Sequence, residues 1–301
     1  MRKPLLLAAA LALLPTVPAL AQRPASPRPA SQRPAAQRPA AQQPTAPRQA
    51  TPRAAPKLEL TAEHRAELQQ AVIRGRALGA IDRAARVTSI DMLTRIPDPA
   101  AAGVVGWVAL PEGNGITVTY YARQGEGYEA VYRGQVLGGR VTSPQVFAAG
   151  SRPALTGPAV RMAAARAAAA TGENAICGGP EFNALVLPPE GPGPVLVYRM
   201  SPRLTPAKIP AGGHYRISVS PDGTVAQSTA LAGACTELSL PPVPRGQRAR
   251  PLVVNARESL LPNELHVFLS LWTGRPIVVA TGTDAVRLWG VTPEGIGELQ
   301  Q

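Results

Sequence analysis

Acidic residues are missing from the first part of this chain, and histidine, cysteine and aromatic residues are scarce throughout. The first acid is Glu59, and the 301 residues include three histidines, two cysteines and 4% aromatics. Metal sites in proteins usually need clustered His, Cys or carboxylate ligands. His64, His214 and His266 fall on different predicted elements without a second ligand at helical spacing. We therefore expect no metal site and interpret all three as packed or surface residues.

Motifs for cofactor binding and catalysis are also missing. Gly125–Ala130 has the spacing of a nucleotide fingerprint, but it leads into a predicted strand instead of a helix, and there is no P-loop. No G-x-S-x-G motif occurs, so a serine hydrolase of the common type is not indicated. Glu264 and His266, two apart on a predicted strand, share a face and could form an acid/base pair, although adjacent polar surface residues explain the pattern better. We expect no cofactor and assign no catalytic residue.

The first 21 residues are typical of a cleavable signal peptide. A positive start at residues 2–3 is followed by an apolar run at 5–14, which is too short to span a membrane. A small-x-small pattern then marks the predicted cleavage site, at Ala19, Ala21 and Gln22. No later stretch is apolar and long enough to cross a bilayer. We therefore predict a periplasmic or secreted protein with no transmembrane segment in the mature chain; an uncleaved leader that acts as a tether is the alternative.

The two cysteines are predicted to form a disulfide. Cys177 and Cys235 are a lone pair in a chain with an export signal, and an oxidising compartment favours their pairing. Neither has a C-x-x-C partner or a neighbouring basic residue that would indicate a reactive thiol.

Residues 22–57 form a Pro/Ala/Gln/Arg-rich segment in which Gln-Arg-Pro-Ala occurs at 22–25, 32–35 and 37–40. The segment has few apolar side chains to bury, so we expect it to be a disordered linker. Its seven positive charges are Arg23, Arg28, Arg33, Arg38, Arg48, Arg53 and Lys57.

The basic charge of the chain belongs mainly to that linker. Of 31 Lys and Arg against 19 Asp and Glu, the leader holds two cations and the linker seven, which leaves 22 against 19 for residues 58–301. Export removes nucleic acid as a partner, so an anionic envelope surface or another envelope protein remains as the predicted partner of the arm. A solubilising spacer is the competing interpretation.

Residues 58–301 predict a globular α+β region with a mainly antiparallel sheet and two N-proximal helices. Helices are predicted at about 61–78, with Thr61 as cap and Gly79 as stop, and at about 158–171. Strands are predicted at 103–110, 116–121, 128–133, 182–187, 195–200, 215–220, 224–229, 265–271, 276–280 and 286–291. Phe268, Trp272 and Trp289 in the last of these are expected in the core.

A short internal echo suggests duplication. Leu110–Gly115 resembles Leu187–Gly193, and each run lies between predicted strands. The hypothesis is two helix-plus-β-meander units at 60–155 and 156–240, followed by C-terminal strands at 241–301. Two unrelated hairpins with common turn residues are the alternative.

The layout of apolar N-terminus, Pro-rich linker and α+β region, with the Tyr215–Val225 hairpin, is similar to that of the energy-transducing TonB proteins. The cleavable leader, the linker without acidic residues and the much longer folded region depart from that pattern. The chain is therefore not assigned to that family. The sequence favours a non-catalytic binding or envelope-interaction module; a secreted hydrolase with an active site assembled from separated loops is the alternative.

Overall fold

The structure is a computed structural model, and its described residues belong to one compact unit. The described residues are 59–172, 174–178, 181–203 and 205–300. The predicted signal peptide, its cleavage residues and the cationic positions of the linker all lie outside the described residues.

The predicted α+β class with mainly antiparallel sheets is confirmed. Three helices occur in the described residues, namely α1 (Ala62–Arg95), α2 (Gly157–Ala170) and α3 (Glu264–Thr273). As predicted, two of them, α1 and α2, lie in the N-proximal part of the folded region.

The strands form four sheets within the described part of the chain. The first sheet has the order β1-β2-β3-β4, the second β5-β6-β8-β9, the third β11-β12-β13-β14, and β7 pairs with β10. The strand bounds are β1 Val104–Glu112, β2 Gly115–Gln124, β3 Gly127–Leu137, β4 Arg140–Val146, β5 Asn183–Val186, β6 Val195–Met200, β7 Lys208–Pro210, β8 His214–Val219, β9 Val225–Ala232, β10 Glu237–Ser239, β11 Leu252–Ala256, β12 Ile277–Thr281, β13 Arg287–Thr292 and β14 Gly295–Glu298.

Helix α1 is about twice as long as predicted. Thr61 caps it as expected, since its side chain accepts a hydrogen bond from the backbone N–H of His64, but the predicted stop at Gly79 is wrong. Gly75 and Gly79 lie where α1 crosses α3. A Cβ at Gly75 would come within 2.5 Å of the Val267 Cβ, and one at Gly79 within 2.6 Å of the Leu271 Cδ1. Both glycines therefore serve close helix packing.

The predicted strand at 265–271 is also wrong, because these residues form α3. Asn263 caps the helix, and the His266 ring accepts a hydrogen bond from the Asn263 backbone N–H at 3.0 Å. Gly274 ends it in the left-handed conformation with φ of 65°. The segment Glu264–Ser270 is buried on all sides, so its apolar pattern has no period that distinguishes helix from strand.

Helix α3 also connects the one parallel pair of strands in the described residues. β11 and β12 run parallel, with Leu252 opposite Ile277, whereas β12, β13 and β14 pair antiparallel. This β11-α3-β12 unit was not predicted from the sequence. It follows from α3 being a helix, since parallel neighbours need a crossover connection.

Helix α1 packs on one side of the first and second sheets, and α2 packs on the other. On the α1 side, the Tyr120 hydroxyl donates to the Ala85 carbonyl at 3.1 Å and Tyr132 donates to Asp91 at 2.6 Å. On the α2 side, Met162 and Ala163 join a core cluster with residues of both sheets. Each of these sheets is an antiparallel meander that follows a helix. The duplication itself stays a prediction.

The predicted disulfide is confirmed. Cys177 and Cys235 are bonded across 58 residues of sequence, with their Cα atoms 5.3 Å apart. Gly213 passes directly beside this bond, since a Cβ there would lie 2.4 Å from the Cys177 Sγ.

Candidate functional site

The candidate site is a groove on the α2 side of the first sheet, which we call the sheet groove. It has a volume of about 470 Å³, within the usual range for small-ligand sites. Helix α2 covers only part of this sheet face, and the groove lies beside the start of that helix. Its lining residues are Val108, Leu110, Glu112, Thr117, Thr119, Arg133, Gln135, Ser143, Gln145, Ala154, Leu155, Thr156 and Ala159.

Strand register arranges the groove side chains in two rows across the sheet. The donor row, as we call it, runs from Val108 through Thr119 and Arg133 to Gln145. Because neighbouring strands lie about 4.8 Å apart, a row across four strands spans about 14 Å. The groove is therefore long enough for a ligand of several linked polar groups.

The acceptor row runs from Leu110 through Thr117 to Gln135. Glu112 holds its two polar side chains in place. The Thr117 hydroxyl donates to the Glu112 carboxylate at 2.6 Å, and the Gln135 amide nitrogen donates to the Glu112 backbone carbonyl at 3.0 Å. The lone pairs of the Thr117 hydroxyl and the Gln135 amide oxygen thus remain as hydrogen-bond acceptors.

Thr119 lies in the floor of the groove with a polar group that no protein atom satisfies. Its side chain is buried, with 7% of the residue exposed, and its hydroxyl forms no hydrogen bond with another described residue. The hydroxyl oxygen itself is not fully buried, because it faces the open groove. A hydroxyl that is held there without a protein partner can donate to and accept from a bound ligand.

Ser143 brings backbone strain to the rim of the groove. Its φ of 49° makes it the one residue other than glycine with positive φ among the described residues. The strain sits at a bulge, since Arg133 pairs with Gln145 but Gln135 pairs with Thr142. Bulges often redirect side chains next to functional sites. Here Ser143 and Gln145 both line the groove.

A second polar cluster joins the second sheet to α3. Glu264 is buried and accepts hydrogen bonds from Tyr198 at 3.0 Å and from Arg216 at 2.6 Å. Burial raises the pKa of Tyr198, and the neighbouring Glu264 raises it further. Since Arg216 neutralises Glu264 within the protein, this cluster is satisfied internally and chiefly fixes α3 on the sheet.

The sequence suggested that Glu264 and His266 share a strand face, and this is wrong. They lie on α3, where Glu264 bonds to Tyr198 and Arg216 while His266 is 1% exposed and caps the helix start. His214 is also buried. Its Nδ1 accepts from the Ser201 backbone N–H, so its Nε2–H donates to the Pro210 carbonyl. The described contacts include no hydrogen bond between a serine hydroxyl and a histidine ring.

Burial lowers the pKa of His214 and His266 to about 4 in both cases. The two rings are therefore neutral at physiological pH. Among the described residues, no three His, Cys, Asp or Glu side chains lie close enough together to hold a metal ion.

The aromatic residues of the C-terminal part lie in or against the core. Trp289 is fully buried, and Phe268 stacks on the half-buried Trp272 with ring centroids 5.6 Å apart. These aromatic residues are therefore explained by core packing, and the sheet groove remains the candidate site.

No helix within the described ranges is both long and apolar enough to cross a membrane. Comparison of this chain with protein-family models, with curated proteins and with solved structures gives no match. We therefore infer function from the chemistry of the groove.

Proposed function

We propose that this protein is an exported, non-catalytic binding module that holds a polar ligand in the sheet groove. The observation that carries the proposal is the unpartnered Thr119 hydroxyl on the floor of a groove lined by ordered polar side chains. Rigid donors and acceptors that the protein itself leaves unsatisfied are typical of a binding surface.

The groove carries binding chemistry but not an obvious set of catalytic groups. Glu112 is the one carboxylate among the described lining residues, and no His, Cys, Lys or Tyr joins it there. Hydrolysis by general acid/base chemistry usually uses a pair of titratable groups at the substrate. The geometry therefore favours binding over hydrolysis.

The proposal gives the basic arm, residues 22–57, a separate role as contact to an anionic envelope surface. Its seven cations and lack of acids support this role, since each cation contributes up to about 1 kcal/mol near an anionic membrane. The Cys177–Cys235 disulfide is compatible with export. The mass of the exported chain tests the predicted export by a cleaved leader. A product that starts at Gln22 supports that cleavage, and one that retains residues 1–21 contradicts it.

The groove is tested with Thr119→Val in the full chain, because valine keeps the shape of threonine and removes the hydroxyl. Backbone amide shifts are recorded with lactose, digalacturonate, glucose 6-phosphate, dialanine and uridine as probes. We expect at least one probe to shift groove residues, and Thr119→Val to weaken the binding of that probe about fivefold while leaving the unfolding free energy within about 0.5 kcal/mol of the native value.

Thr229→Val, on the exposed edge strand β9, is the matched control and should bind as the native chain does. The proposal fails if no probe shifts the groove, or if Thr119→Val lowers stability and leaves binding intact.

A further inference from the structure

Arg133 is a cation in the groove that the protein does not neutralise. It is half-buried, and no hydrogen bond or ion pair joins it to another described residue. Apart from Arg74, every other buried or half-buried arginine that the structure describes donates to an acceptor: Arg152, Arg161, Arg166, Arg199, Arg216, Arg257, Arg275 and Arg287.

The guanidinium of Arg133 has an aromatic neighbour. It lies over the Phe147 ring, 5.7 Å from the centroid. This cation–π contact favours that position of the guanidinium while leaving its N–H donors free. Arg133 thus offers a fork of donors in the middle of the donor row, as recognition of a carboxylate or phosphate requires.

The surroundings favour a negative group at this position. Glu112, the one acid among the described lining residues, lies at the far end of β1 from Val108 and Arg133, and its Oε2 accepts a hydrogen bond from Thr117. The first turn of α2, which borders the groove at Thr156 and Ala159, contains no acid and has no side-chain cap. The N-terminus of a helix carries a partial positive charge, which adds to that of Arg133.

The remaining groove chemistry fits hydroxyl groups. A hydroxyl both donates and accepts, so it can bond to the free Thr119 hydroxyl in one row and to the acceptors Thr117 and Gln135 in the other. Val108 and Leu155 supply an apolar floor for C–H groups. A peptide would instead use an exposed sheet edge for its backbone, and these residues lie on the sheet face.

We infer that the ligand of the sheet groove is a short saccharide with an anionic substituent, which Arg133 binds while the threonine and glutamine side chains bind sugar hydroxyls. This inference rests on the proposed function and names its ligand class. Arg133 is then the specificity-determining residue, and either a carboxylate or a phosphate satisfies it.

Calorimetric titration of the full chain tests the inference. The probes are digalacturonate, its neutral methyl ester and glucose 6-phosphate, and the variants are Arg133→Gln and Arg140→Gln. Arg140 is an exposed arginine of the same sheet outside the groove, so it serves as the control. We expect the native chain to bind digalacturonate or glucose 6-phosphate at least tenfold more tightly than the ester.

Arg133→Gln should remove that preference, so that it binds the anionic probes no more tightly than the ester, and Arg140→Gln should retain the preference. If the native chain binds digalacturonate more tightly than glucose 6-phosphate, the anionic substituent of the ligand is a carboxylate. If it binds glucose 6-phosphate more tightly, the substituent is a phosphate.

An ester that binds as tightly as the anions, or a preference that survives in Arg133→Gln, overturns the inference. So does a groove that binds dialanine or uridine but no saccharide, and that result leaves the proposed function standing. A native chain that binds none of the probes in the groove overturns both.

Discussion

Two buried histidines should make this protein sensitive to mild acid. His214 and His266 are neutral in the folded chain, because burial lowers the pKa of each from 6.5 to about 4. The neighbouring His214 also disfavours the charged form of His266. The unfolded chain therefore binds more protons than the folded one between pH 6.5 and 4. The stabilisation is complete above pH 6.5 and is lost as pH falls towards 4.

The size of the loss follows from these pKa values. A histidine with a pKa of 6.5 unfolded and about 4 folded costs about 2 kcal/mol of unfolding free energy between pH 7 and pH 5. The two together cost about 4 kcal/mol, a large share of the 5–15 kcal/mol typical of a domain. Most Asp and Glu side chains stay ionised over this range, so the effect can be measured separately from ordinary acid unfolding.

Urea unfolding at pH 7, 6 and 5 measures the effect in the native chain, in His266→Asn and in Ser270→Ala. Asparagine can still accept from the Asn263 backbone N–H but does not titrate, so the loss between pH 7 and 5 should shrink by about 2 kcal/mol. Ser270 is a buried, non-titrating residue of the same helix, and its variant should lower stability equally at each pH. An unchanged pH dependence in His266→Asn would show that burial of a neutral His266 does not contribute to the loss of stability.

Three further changes test the fold. Gly75→Ala should lower the unfolding free energy by about 1–3 kcal/mol in urea titrations, because its Cβ would overlap Val267; native stability would contradict the helix crossing. Reducing the Cys177–Cys235 disulfide should cost about 4 kcal/mol by the same assay, and a loss below about 1 kcal/mol would show that it constrains the unfolded chain little. Ser143→Gly should relieve left-handed strain and raise stability by about 0.5–1 kcal/mol, whereas a clear loss would place the strain elsewhere.

Local sequence signals predicted much of the fold. Thr61 marked the start of α1, and Pro158 with the alanine run after it marked α2. The strand predicted at 195–200 matches β6, and the hairpin between β8 and β9 lies where Pro221-Asp222-Gly223 placed it. These signals act over a few residues, so the sequence contains them in full.

Signals that depend on a distant neighbour were misread. Gly79 resembles a helix stop, and only the presence of Leu271 across the crossing shows that it is a packing glycine. The run at 265–271 resembles a strand in its sequence. Because α3 is buried on every side, its apolar residues show no helical period that would distinguish it. Its start carried a local signal that could have corrected the prediction, since Asn263 is a good helix cap and Gly274 a good stop.

The sheet groove could not be predicted from periodicity. Thr117 and Thr119 alternate in the sequence with the apolar Ile116, Val118 and Tyr120, and this pattern also fits an ordinary solvent-facing side of a strand. Strand register aligns them with Arg133 and Gln135, and the position of α2 leaves the rows uncovered. Both facts are properties of the tertiary structure.

The most direct test of the account is a map of backbone amide shifts in the full chain titrated with digalacturonate. We expect saturable shifts concentrated at Thr117, Thr119, Arg133 and Gln135, which require far higher digalacturonate concentrations in Thr119→Val combined with Arg133→Gln. Shifts confined to the cluster of Tyr198, Arg216 and Glu264, or spread along the basic arm alone, would contradict it.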